Sequence, residues 1–101
     1  MVPISYEVAE QIAKDYLKQQ QWPPDKFGGL VLKLSATITK PYGWVFFFNT
    51  RQFLEKGDRL AALGGNAPFL VEHDTGQVVT LGTAHTVDHY LAQYEALHHL
   101  P

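Results

Sequence analysis

The chain has 101 residues, of which 46% are hydrophobic and 18% are charged. This balance is typical of a folded globular protein, and the length predicts a single domain over residues 1–101. The chain has no cysteine, which excludes disulfide bonds, thiolate nucleophiles and cysteine-ligated zinc. The formal net charge of −2 gives no reason to expect nucleic acid as a partner.

Neither a secretion signal nor a membrane span is predicted. Residues 1–7 contain no basic segment and no long apolar run of the kind that begins a signal peptide. The longest fully apolar run, residues 44–48, is far shorter than the about 20 residues that cross a bilayer. We therefore predict a cytoplasmic protein that has no membrane partner.

Charge is distributed unevenly along the chain. Residues 1–25 carry a net charge of −2, and residues 26–59 carry +4. Residues 60–101 contain no lysine or arginine and carry −4 through four carboxylates: Glu72, Asp74, Asp88 and Glu95. In a chain this short the asymmetry arises by chance, or it marks an acidic face that attracts a basic protein partner. The four carboxylates are therefore candidate partner contacts.

The first 40 residues predict a helix and then a strand. Apolar residues between positions 8 and 17 recur three or four residues apart, and Ser5 is a suitable N-cap, which predicts a helix over residues 5–20. Pro23 and the proline that follows it end the helix, because proline cannot continue one. Residues 30–39 alternate between apolar and polar side chains, which predicts a strand with one buried face.

Three more strands and a second helix follow. A turn at residues 40–43 leads to a strand over residues 44–48, and residues 50–64 predict short helical turns interrupted at Gly57. A hairpin turn then joins two strands, and Thr86 begins a helix; these segments cover residues 68–72, 77–81 and 86–98. The order α-β-β-β-β-α predicts an α+β fold: two layers, with a four-stranded antiparallel sheet, an N-terminal helix and a C-terminal helix.

No set of residues has the spacing that catalysis or metal binding requires. His85 and His89 are four residues apart, but the predicted helix begins between them at Thr86, and no third ligand follows at a suitable spacing. Ser5 and Ser35 lack the neighbouring motif of an activated nucleophile. The glycine pairs match no phosphate-binding loop. We predict no catalytic residue, no cofactor and no metal.

Aromatic residues are concentrated in and beside the second predicted strand. Trp44, Phe46 and Phe48 share one face of that strand, and we expect them in the core. An aromatic side chain left partly exposed there would suit a protein partner, since tyrosine and tryptophan dominate the energetics of interfaces. Tyr42, in the preceding turn, is the fifth candidate partner contact.

Five segments of the second half carry a resemblance to a known family. They are residues 43–49, 53–58, 65–71, 74–76 and 81–84. In this order they resemble the immunity protein 35 family, which includes YrhB-like proteins. The most specific part is the Gly-Asn-Ala-Pro stretch followed by the Asp-Thr-Gly turn. The resemblance covers residues 43–94, and residues 1–42 share only a leading helix and a first strand.

The resemblance implies a small protein of a bacterial toxin–immunity locus. Such a protein binds and neutralises a cognate protein toxin, typically encoded by an adjacent gene, without catalysis. The resemblance to YrhB-like proteins also implies an alternative, a holdase with chaperone-like behaviour, which needs an exposed apolar patch such as residues 44–48. A small hydrolase or ligand-binding enzyme is a third interpretation, and it needs a pocket with convergent polar groups. We expect a monomer or a homodimer, and an exposed strand edge would support either a homodimer or the addition of a strand from a toxin.

Overall fold

The computed structural model describes residues 3–100, in which three α-helices and six short strands alternate with 3₁₀ turns. In chain order these elements are α1 (Tyr6–Lys18), β1 (Leu30–Leu32), β2 (Ile38–Lys40), β3 (Gly43–Phe46), β4 (Phe48–Thr50), α2 (Arg51–Lys56), β5 (Phe69–Glu72), β6 (Val78–Thr80) and α3 (Val87–Leu97). Within residues 3–100, no helix is both long and apolar enough to cross a bilayer. The α+β class and the two terminal helices are confirmed.

Side-chain caps fix where the helices begin. The Ser5 hydroxyl accepts the N–H of Val8 at 3.2 Å and starts α1 at the next residue. The Thr86 hydroxyl accepts the N–H of His89 at 3.1 Å and starts α3 in the same way. Gly57 ends α2 in the left-handed conformation, which is the interruption that the sequence predicted.

The strands form two antiparallel sheets rather than the one that the sequence predicted. The larger sheet has the order β2-β3-β5-β6, and the smaller one pairs β1 with β4. β4 follows β3 after one residue, so the smaller sheet extends the β2–β3 hairpin away from its turn at residues 41–42. The hairpin turn and the β1–β4 pair therefore lie at opposite ends of this pair of chain segments.

The single strand predicted over residues 30–39 is wrong, because a 3₁₀ turn at Leu34–Ala36 divides it. Leu32 pairs with Phe48 and Ile38 pairs with Val45, so five residues on one strand lie opposite two on the other. The three extra residues form a large bulge. Because side chains alternate between the two faces of a strand, inserting an odd number of residues moves the following side chains to the opposite face. Leu32 consequently packs on the α1 side of the sheet and Ile38 on the α3 side.

The two helices cover opposite faces of the large sheet, which corrects the two-layer prediction to three layers. Buried residues of α1 pack with alternate residues of the central strands: Ala9, Ala13 and Leu17 with Trp44, Phe46, Phe69 and Val71. On the other face, Leu91 of α3 packs with Val45 and Leu70. Side chains of successive strand residues point to opposite faces, so β3 and β5 are buried on both sides.

Gly43 is required where β3 passes β5. A Cβ atom at this position would collide with the carbonyl oxygen of Val71, which is main chain and cannot rotate away. We expect Gly43→Ala to lower the free energy of unfolding by about 2 kcal/mol, a typical cost of overpacking. Urea unfolding measures this change, and the dependence of the free energy of unfolding on urea concentration should stay the same.

Gly64→Ala is the matched control for this prediction. Its Cβ atom would meet no other group within 4 Å. We expect a change of less than about 0.5 kcal/mol. Equal effects at Gly43 and Gly64 would contradict the close approach of β3 and β5.

Candidate functional site

Two tyrosine–carboxylate hydrogen bonds hold α3 against the end of the large sheet. The Tyr42 hydroxyl, in the β2–β3 turn, donates to Glu95 of α3 at 2.6 Å. The Tyr94 hydroxyl, on α3, donates in the opposite direction to Glu72 at the end of β5, at 2.5 Å. The Thr75 hydroxyl donates to the second oxygen of Glu72 at 2.8 Å. The adjacent helix residues Tyr94 and Glu95 thus bond to two different places: the end of β5 and the β2–β3 turn.

Main-chain contacts bring the two turns together beneath α3. The N–H of His73 donates to the carbonyl oxygen of Tyr42 at 2.8 Å, which joins the β5–β6 turn to the β2–β3 turn. The rings of Tyr42 and Tyr94 stack with their centroids 5.0 Å apart. Lys40 approaches Glu95 at 3.8 Å. We call the surface formed by Tyr42, Glu72, Asp74, Tyr94 and Glu95 the acidic end.

Both tyrosines are protonated hydrogen-bond donors at neutral pH. Burial raises the pKa of Tyr42 and of Tyr94 well above the ordinary value of about 10, and the bond to a carboxylate raises it further. Neither hydroxyl can therefore supply a tyrosinate nucleophile or base under physiological conditions. Their chemical role is to donate to Glu95 and Glu72 and to orient these carboxylates.

A shallow hollow of about 350 Å³ opens at the acidic end. Glu72 and Asp74 line one side of it, and Tyr94 and His98, whose rings stack at 4.1 Å, line the other. Asp74 is exposed, and its carboxylate bonds to the ring of His73 at 2.9 Å. Carboxylates beside an aromatic face can hold a lysine or arginine side chain.

The structure brings together four of the five predicted contact residues. Tyr42, Glu72, Asp74 and Glu95 meet at the acidic end, although Glu72 and Glu95 also bond within the protein. Asp88 lies apart, in the exposed first turn of α3, about 10 Å along the helix from Glu95.

Tyr94 and His98 were missed as members of this site. The sequence indicates both positions as part of the amphipathic pattern or tail of the last helix. The stacking of Tyr94 with His98 is local, but the stacking of Tyr94 on Tyr42 joins residues that are far apart in the chain. One signal was available: Tyr94 is followed directly by Glu95, which places a hydroxyl next to a carboxylate on a helix that covers the sheet.

The histidine pair at the start of α3 does not form a metal site with other residues. The rings of His85 and His89 lie 4.2 Å apart, closer than the intervening cap suggested. In the part of the chain that the structure describes, no group of three or more histidine and carboxylate side chains could hold a metal ion.

The tyrosine pairs make stability depend on pH in the alkaline range. Their pKa values are raised in the folded state, so their stabilising contribution is complete below about pH 10 and is lost as the pH rises above it. We expect the wild type to lose stability above pH 10 more steeply than the Tyr42→Phe/Tyr94→Phe variant. Urea unfolding between pH 8 and about pH 11.5 measures this. Each single variant should lose stability with a steepness between those of the wild type and the double variant. If the free energy of unfolding depended on pH equally in all of them, the stabilising role of these hydrogen bonds would be contradicted.

Comparison with known proteins identifies the family. The profile described as Immunity protein 35 matches residues 7–96. The chain is 39% identical over 92 residues to the uncharacterized protein YrhB of Escherichia coli strain K12, which covers 91% of this chain and 89% of YrhB. No solved structure matches the chain. The match extends the resemblance seen at residues 43–94 to the first helix and strands. The chain therefore belongs to the immunity protein 35 family.

Proposed function

We propose that the protein binds a cognate bacterial toxin and neutralises it by occupying a functional surface of that toxin, without catalysis. The observation that carries this proposal is the family match over residues 7–96, because the family is one of toxin immunity. The protein acts as one domain, and it meets the toxin in the cytoplasm. The gene beside its own is the first place to look for that toxin.

The acidic end supports a toxin with a basic contact surface. Asp74 is exposed, and Asp88 extends the negative charge along α3. The hollow between Asp74 and Tyr94 provides an aromatic wall next to carboxylates, which fits a lysine or arginine side chain. A toxin that binds nucleic acid has such basic side chains at its active surface. Blocking them would stop its activity.

The holdase alternative depends on an exposed apolar patch, and most of the predicted patch is covered. In the strand over residues 44–48, Trp44 is 8% exposed, and Val45 and Phe46 are fully buried. Phe47 and Phe48 are partly buried and pack against the core on opposite faces. The large exposed hydrophobic side chains of the described residues occur in four separate elements or loops: Val8, Leu34, Leu60 and Leu97. Single exposed leucines are ordinary on protein surfaces. Toxin neutralisation is thus the better supported function.

Co-expression with the product of the adjacent gene is the experiment that tests this proposal. We expect that product to arrest growth by itself, and this protein to restore growth and to co-purify with it in a defined ratio. Toxicity without rescue and without a complex would overturn the proposal. Broad suppression of aggregation among unrelated unfolded proteins would favour the holdase instead.

Neutralising the two exposed carboxylates should weaken the complex. We expect the Asp74→Asn/Asp88→Asn variant to bind the toxin at least about tenfold more weakly and mostly through slower association, because the lost charges steer the encounter. Association kinetics at two salt concentrations measure this effect.

The Asp15→Asn/Asp25→Asn variant is the matched control. It removes the same total charge from two exposed positions away from the acidic end. Its association rate should be close to that of the wild type. If both double variants slowed association equally, the effect would come from net charge alone. The acidic end would then no longer be supported as the contact surface.

A further inference from the structure

One edge of the small sheet leaves its main chain free to bond. The N–H of Lys33 donates to Phe47 at 2.7 Å, and the N–H of Arg51 donates to Gly29 at 2.9 Å. Hydrogen-bonding direction alternates along an antiparallel strand. The N–H and C=O groups of Leu30 and Leu32 therefore point away from β4. Within residues 3–100, no other backbone or side chain bonds to them.

The opposite edge of the same sheet is closed by a loop. The outward carbonyl oxygen of Phe48 in β4 accepts a hydrogen bond from the side chain of Asn66. The N–H of Leu63 donates to the side chain of Asn49 at 2.8 Å, and the hydroxyl of Thr50 donates to the carbonyl oxygen of Ala61 at 2.8 Å. The loop thus covers the β4 edge, whereas the β1 edge presents unpaired main chain, which is the usual template for an added strand.

A trough runs along the β1 edge between that strand and α1. Its volume is about 640 Å³. Leu17 of α1, Trp22 and Pro24 give it apolar walls, and Leu30 and Leu32 border it. A second hollow of about 460 Å³ shares Val31 and Leu32 with the first and continues it past the bulge. Together they follow the length of β1.

The charge of this trough is opposite to that of the acidic end. Lys14, Lys18 and Arg51 line the larger hollow, which no carboxylate lines, and the second hollow adds Lys33 and one carboxylate, Glu55. Each of the three cations of the larger hollow is at least half exposed, and each reaches a carboxylate within its own helix: Lys14 reaches Glu10, Lys18 reaches Asp15 and Arg51 reaches Glu55. Such exposed pairs are weak and can exchange partners at little cost.

We propose that this trough, which we call the β1 trough, binds an extended acidic segment of a protein partner. The segment adds as a strand to β1 and bonds to the main chain of Leu30 and Leu32. Its apolar side chains pack against Leu17 and Trp22, and its carboxylates pair with the lysines of α1. This surface lies at the end of the molecule away from the β2–β3 turn, so it does not depend on the acidic end.

A second copy of the chain is a poor occupant of the β1 trough. Two β1 edges brought together would place like charges face to face, because each carries Lys14, Lys18 and Arg51. The carboxylates of residues 72–95 of a second copy cannot supply the acidic segment either. They occur at the end of a paired strand, in a turn and on α3, and not on a free extended segment.

A random octapeptide display library supplies the probe for this proposal. Selection should enrich sequences that alternate aspartate or glutamate with apolar residues. In a titration with the best peptide, the ¹⁵N-labelled protein should show saturable shifts of the Leu30 and Leu32 amides and of the Trp22 indole. N-methylation of alternate peptide bonds on one edge of the peptide should abolish binding, because it removes the main-chain donors.

Charge variants test the contribution of the lysines of α1. Lys14→Gln/Lys18→Gln should weaken the peptide about tenfold, equivalent to about 1.4 kcal/mol. Lys56→Gln/Arg59→Gln removes the same charge outside the trough and should bind like the wild type. Enriched peptides without acidic residues, shifts confined to the acidic end, or unchanged binding after N-methylation would each overturn the proposal. So would a homodimer in which the Leu30 and Leu32 amides are already protected from exchange.

Discussion

Burial of β3 and β5 on both faces is the constraint on which the rest of the structure depends. Val45, Phe46, Phe69, Leu70 and Val71 are fully buried, so two helices are needed to exclude water from one pair of strands. α1 and α3 do this from opposite sides. With both faces of the sheet covered, the surfaces left for a partner are its edges and its ends. The candidate sites of this small protein lie there for that reason.

The bulge between β1 and β2 decides the character of one of these ends. Its three extra residues separate β1–β4 from the large sheet and reverse the side-chain facing along the first strand. Leu30 and Leu32 then pack toward α1, while their main chain stays unpaired beside the lysines of that helix. Without the bulge, the same residues would continue an ordinary hairpin.

At the acidic end, most of the polar side chains form hydrogen bonds with one another. Tyr42 and Tyr94 donate to Glu95 and Glu72, which anchors α3 and gives these partly buried hydroxyls partners. These hydrogen bonds also fix the positions of the two carboxylates. An inhibitor gains from such order, because side chains held before binding lose less entropy in the complex. The molecule thus has an acidic end and a basic trough, which suit contacts of opposite charge.

Local signals in the sequence determined the helix starts at Ser5 and Thr86, the break at Gly57, the turns, the α+β class and the family, because caps, turns and motifs depend on neighbouring residues. Charge and composition also indicated four members of the acidic end. Only the tertiary structure decided the three layers, the bulge and the inclusion of Tyr94. These depend on which strands pair, in what register, and on which face each helix packs. Alternation over residues 30–39 continues through the bulge and gives no sign of it, since the inserted residues are revealed only by the partner strand.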